Sequence, residues 1–456
     1  MSQPPHSPSS DRAGKEKPLS PSEEPYDLTK PIRGLAGKFG PKDLRAKVAV
    51  LAVLALATIA AFAFLLGTGL SALEKFMGSA LIMVISGELA RGLMGWEGFA
   101  GLILLKDRST LNWIDRQAQA FAPFWSVVAD VGLVMGYGFG SLLLLGPQSK
   151  KPKTLLLIFA VGLPMLVIFS AGVMPSAYDV LRYSLSGNGD LAAATAHMRA
   201  TAPLQGTWDV MINGQMVHVP FMTILSVVVI FAGGLAASVT LSLLLYAISL
   251  LGPILAKVGS MAFGLLGQAA PAVVVPPPGA SPLLPGVNLP LVEGIIAMAV
   301  LLVVHELSHA FVARVHKIRL DSAGVVFFGV LPFGAFVDPD EKELDGVEAW
   351  KSTQVIVAGS AMNMLTATVA FCIFMGLSVL NYYYPMHGIG VGFIARTLGL
   401  VIALNVLVGV VNLLPITLVD GHRLMKAAVR NELAANLITW AVIAAFVVNF
   451  LPWLFR

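Results

Sequence analysis

Long apolar runs interrupted by short polar segments set the organisation of this chain. Unbroken stretches at about 48–70, 124–146, 154–174, 353–380, 391–413 and 434–453 are long and apolar enough to cross a bilayer as helices. Residues 219–255 have the length for two spans around Gly233-Gly234 or for one long tilted helix. Residues 78–105 carry Glu88, Arg91 and Glu97 in an apolar background. They fit a span whose Glu88 and Arg91 neutralise each other, or an interfacial helix followed by a hairpin around Lys106–Ser109. Residues 175–218 are polar enough to lie outside the membrane, and V-M-I-N-G-Q-M-V-H-V reads as a hairpin turning at Asn213-Gly214.

The run from Leu291 to Lys317 differs from the others. It has no polar side chain from Ile295 to Val304, and then presents His305, Glu306 and His309. Residues four apart share a helix face, so the two imidazoles point at one place and can hold one metal ion. Glu306 stands beside them, able to reach a water at that ion. Ionisable groups inside a membrane helix are costly and signal function. After this helix, residues 325–341 (V-V-F-F-G-V-L-P-F-G-A-F-V-D-P-D-E) are too short and too broken by Gly and Pro to span. A re-entrant or edge-strand segment at 325–337 fits them, because irregular backbone persists at membrane depth only where protein or a water-filled cavity satisfies it.

A catalytic zinc site takes three protein ligands and leaves one position open. In N-L-L-P-I-T-L-V-D-G, Asn412 to Gly421, Pro415 breaks a helix and Asp420 follows where the chain could turn toward the histidines. Alone, Asp420 reads as a helix N-cap. Beside H-E-x-x-H it reads as the third ligand.

Composition narrows the class. The chain has 456 residues, 56% hydrophobic and only 12% charged. This describes an all-α polytopic membrane protein, a multi-span helical bundle with a short re-entrant or β segment beside the site. A net charge of +4 and the lack of a basic, aromatic-interleaved patch exclude a nucleic-acid binder. One cysteine, Cys372, supplies neither an intramolecular disulfide nor a zinc cluster. The expected divisions are a disordered cytoplasmic tail over 1–46, an N-terminal membrane region over 47–258 with its extramembrane loop at 175–218, a Pro-rich connector over 259–290 and a catalytic core over 291–456. Arg33, Lys38, Lys42, Arg45 and Lys47 place the N-terminus in the cytoplasm. Arg314, Lys317 and Arg319 close the histidine helix, and His422, Arg423, Lys426 and Arg430 follow Asp420. Both halves of the site are therefore expected in the cytoplasmic half of the bilayer, at the cell membrane.

With these elements in order, the chain resembles the site-2 protease family of intramembrane metalloproteases. The resemblance rests on His305-Glu306-x-x-His309, on Gly359-x-x-x-Asn363, and on Asn412-x-x-Pro415 followed by Asp420-Gly421; Gly334–Glu341 is similar to archaeal members. It implies one zinc ion per chain held by His305, His309 and Asp420. It implies further that Glu306 is the general base, that Asn412 positions substrate or its developing oxyanion, and that the partners are transmembrane protein substrates within the lipid bilayer. Thr417, Val419 and Ser360 depart from the common family pattern, and the interval from Asn363 to Asn412 is too short for a PDZ domain. Two other readings compete. In one, a later glutamate is the third ligand, for which Glu432 is the only acidic residue after Asp420. In the other, a non-catalytic chaperone-like protein or transporter retains a zinc site, and the intact Glu306 argues against it. His316 and His422 read as an interfacial residue and a neighbour of the site, respectively.

Overall fold

A computed structural model describes residues 44–70, 72–106, 108–185, 209–212, 215–218, 220–266, 272–276, 289–329, 331–384, 389–429 and 431–455. The expected tail lies outside them except for its last three residues, which open the first helix. His6, His197, His387, Arg430 and the Asn213-Gly214 turn also lie outside.

Chain order gives α1 Leu44–Gly67, α2 Ala72–Met94, β1 Glu97–Phe99, β2 Leu102–Lys106, α3 Arg108–Ala120 and α4 Ala122–Tyr137, the last running on as a 3-10 turn to Leu143. Next come α5 Pro152–Ile168, a π turn Phe169–Val173, α6 Met174–Leu185, β3 Asp209–Ile212, β4 Gln215–His218 and α7 Pro220–Leu265. The C-terminal part contains α8 Leu291–Val315, β5 Leu320–Phe328, β6 Leu331–Pro339, α9 Glu341–Gly346, α10 Ala349–Tyr383, α11 Ile389–Val411, α12 Asp420–Ala428 and α13 Glu432–Phe450. Among the described residues, nine helical stretches are long and apolar enough to cross a membrane. The protein is a helical polytopic membrane protein with a small antiparallel sheet.

Helix α10 is the axis of the bundle. Residues Thr353–Ala361 are buried without a break, because α4, α8 and α11 pack around it. Small residues allow this closeness, Gly132 of α4 lying directly against Ala361. Helix α8 stops at His316, where Lys317 takes φ 64° and Ile318 N–H donates to Ala313 O at 2.9 Å. Arg314 ties off this end by donating to Ile318 O at 2.8 Å and pairing with Asp115 of α3. The closure sends the chain straight into β5.

The sheet has the order β1-β2-β5-β6, antiparallel throughout, with Leu102 opposite Phe328 and Val325 opposite Ala335. The segment at 325–337 is thus the second hairpin of a four-stranded sheet. Its first hairpin, 97–106, turns at Ala100-Gly101 and not at 106–109, because the amphipathic helix α3 already begins at Arg108. The pair β3–β4 forms in the expected register, Ile212 opposite Gln215. Helix α6 carries the apolar segment read at 154–174 on to Leu185, and it packs on α11. In α7 the helix breaks at Gly234, which adopts φ 63°. A cavity of about 200 Å³ lined by both Leu225 and Leu245 shows that the two segments fold back on one another. On a straight helix these residues would stand about 30 Å apart. The break packs against Gly136–Gly138 of α4, the glycine-rich stretch of the sequence. The helix continues to Leu265, into the stretch read as the start of the connector.

Candidate metal centre

His305 and His309 project from one face of α8, with Nε2 atoms 3.1 Å apart. Asp420 is the first residue of α12 and places Oδ2 at 3.5 Å from His305 Nε2 and 3.4 Å from His309 Nε2. Tetrahedral ligands at 2.0–2.1 Å from one zinc ion are separated by about 3.3–3.4 Å, so the three atoms have the spacing that a shared ion requires.

The protons point the same way. His309 Nδ1–H donates to Val355 O at 2.7 Å, leaving Nε2 as a bare lone pair. The Asn363 amide lies 2.9 Å from His305 Nδ1. Turned to present its oxygen, it accepts the Nδ1 proton, and an otherwise unpartnered buried Oδ1 gains its bond. Asp420 Oδ2 is buried with no hydrogen-bond partner. Three acceptors then face one point, a repulsive arrangement unless a cation occupies it. These residues fit a divalent metal, and His305, His309 and Asp420 are the group of potential ligands found among the described residues.

Two glycines make the approach possible. A Cβ at Gly359 would overlap both imidazoles, so only glycine lets α10 lie against the rings with Asn363 one turn further on. A Cβ at Gly421 would run into the backbone of Leu413, and Gly421 N–H donates to Asn412 O at 2.6 Å. That bond folds the Pro415 turn back on itself. It brings Asp420 and Asn412 to the histidines together, with Asn412 Nδ2 at 3.2 Å from His305 Nε2.

The triad opens into a cleft of about 440 Å³ whose lining includes Glu306, Asn412, Val337–Pro339 of β6, Leu418 and Arg423. Leu418 is 91% exposed at the tip of the 412–419 turn. Directly after Pro339, Asp340 caps α9, accepting from Glu343 N–H at 3.0 Å, and pairs with Arg319. That N–H and the Arg319 guanidinium hold its carboxyl below the usual range, so the end of β6 is fixed by a charged anchor.

All five residues singled out for chemistry, His305, Glu306, His309, Asn412 and Asp420, therefore line one cleft. Glu432 heads α13 and is not among the cleft residues. His422 lies 3.3 Å from Thr439 Oγ1, on the side toward α13. His316 is half-buried, with Nε2 2.7 Å from Gln354 Oε1, and Gln354 donates to buried Asp130 at 2.6 Å. Gln354 directly precedes the carbonyl that orients His309. Asp130 escaped the sequence reading, although a lone acid in an apolar span was the available signal.

The class follows from comparison with known families. Residues 293–390 match the model of Peptidase family M50, the family of the site-2 proteases. Over this segment, from the histidine helix to the start of α11, the chain is similar to the membrane metallopeptidases of that family. No curated protein and no solved structure matches the chain.

Proposed function

We propose that this protein is a zinc endopeptidase that cuts single-span or polytopic membrane proteins within or beside their transmembrane helices, in the manner of regulated intramembrane proteolysis. The observation that carries the reading is the convergence of His305 Nε2, His309 Nε2 and Asp420 Oδ2 at ligand spacing, in a cleft that also holds Glu306. A zinc ion held by these three residues supplies Lewis acidity toward water and the scissile carbonyl. Glu306 takes the proton of the attacking water and returns it to the departing amine as the C–N bond breaks. Asn412 offers its amide N–H to the carbonyl oxygen as charge develops there.

A helix hides its carbonyls in its own hydrogen bonds, so the substrate enters as a locally unwound strand. Strand β6 ends the sheet order and contributes Val337–Pro339 to the cleft wall, which supports an extended peptide pairing along that strand. Basic residues at the end of α8 (Arg314, Lys317, Arg319) and in α12 (Arg423, Lys426) support a cytoplasmic location for this end of the site. Water then arrives from the cytoplasm, and cleavage falls near the cytoplasmic end of the substrate helix. A photo-crosslinker at Val337 in the E306Q variant tests the peptide path. A crosslink to a bound single-span substrate supports it, and a trapped complex without that crosslink refutes it.

A further inference from the structure

The Glu88–Arg91 pair in α2 has no part in the chemistry above, yet it sits in a helix apolar enough to cross a membrane, with Arg91 buried and Glu88 partly exposed. Arg91 is 5% exposed and donates from Nε and Nη2 to Glu88 Oε2, at 3.2 and 2.7 Å. The other oxygen, Oε1, accepts from Gly101 N–H at 3.1 Å, at the turn of the first hairpin. Gly101 O in turn accepts from Gly329 N–H at 2.9 Å, at the turn of the second. Both glycines have positive φ, 82° and 63°, and both turns rest on the Met83–Gly87 stretch of α2. One carboxylate therefore fastens the first hairpin tip to α2 and, through Gly101, is linked to the second. The tips need such partners, because Gly101 and Gly329 are buried and a buried backbone N–H left unpaired is costly. Helix α2 in turn packs mainly on α1 and on strands β1, β2 and β5. Its link to the catalytic helices runs through the sheet whose far strand, β6, borders the metal triad.

We propose that Glu88 is a positioning residue for the substrate-binding edge, and that α2, through it, sets where β6 stands relative to the metal ligands. This rests on the peptide path proposed above. Loss of the Glu88 acceptor frees the sheet tips and displaces β6, which weakens substrate binding while the triad stays intact.

The test compares two double variants of the full-length protein, both lacking the buried ion pair. E88L/R91L removes the acceptor, whereas E88Q/R91L keeps an amide oxygen for Gly101 N–H. On a single-span substrate, E88L/R91L is expected to raise KM about tenfold with kcat within about threefold and with unchanged zinc content. E88Q/R91L is expected to bring KM back to within about threefold of wild type. G101A, whose Cβ would crowd Val84 while leaving the ion pair in place, should reproduce the KM rise. Amide hydrogen exchange should quicken at residues 98–104 and 325–329 in E88L/R91L and stay unchanged at 300–312. Equal KM values in the two double variants, or zinc and kcat falling together in E88L/R91L, would overturn the proposal. An inactive wild type would count against the peptidase reading instead. In that case, unaltered exchange at the two hairpin tips would still refute the staple.

Discussion

Asn363 holds His305 from behind: its amide lies 2.9 Å from Nδ1, the ring nitrogen that faces away from Asp420. This contact fixes both the tautomer and the rotation of the ring. Replacing Asn363 with Leu is expected to lower metal affinity roughly 10–100-fold with the fold retained. Zinc competition against a chromogenic chelator would measure it, and wild-type affinity would refute the role.

Gly359 gives a sharper steric case. Its Cα face touches both imidazoles, so G359A should displace them and reduce bound zinc well below one ion per chain. The neighbouring S360A adds no atom toward the rings and serves as the control. Metal analysis of the two purified proteins decides; full zinc occupancy in G359A would contradict the packing described here.

Asp420 contributes charge as well as an oxygen. D420N keeps nearly the same shape but loses the charge that offsets the cation, so it should lose zinc more readily than wild type and cleave far more slowly. Excess zinc should restore part of its activity. An active D420N with unchanged zinc retention would remove Asp420 from the ligand set.

Orientation is open to direct measurement. Cysteines placed at Lys317 and Lys426, in a background where Cys372 is Ala, should react with an impermeant reagent only from the cytoplasmic face. Both lie at the polar ends of site elements, after α8 and within α12. Labelling of either from outside would invert the proposed topology.

Much of the site was legible because its chemistry is written in short spacings. His305 and His309 four apart in an apolar helix, and Pro415 shortly before Asp420, declare a shared face and a turn. Gly359 and Asn363 were visible as a motif, but their reasons, room for two rings and a partner for Nδ1, exist only once α10 packs on α8. The sheet was half legible. Residues 325–337 announced irregular backbone, whereas Leu102–Lys106 is a short apolar run with no alternation, and its pairing with β5 is a long-range contact that periodicity does not encode. The same holds for His316, whose partner Gln354 is distant in sequence, and for the fold-back of α7. There Gly233-Gly234 marked a possible break, and only packing against Gly136–Gly138 settles it.

A zinc ion at His305, His309 and Asp420 is proposed to work with Glu306 in hydrolysing a membrane-embedded peptide bond. Wild type and E306Q, purified in lipid nanodiscs, should be compared for zinc per chain and for cleavage of a single-span substrate in the same preparation. One zinc ion per chain in both proteins is expected, with cleavage in wild type and a rate lower by roughly 10²–10⁴-fold in E306Q. Cleavage by E306Q at the wild-type rate, or by wild type stripped of zinc, would rule out these roles for Glu306 and the metal.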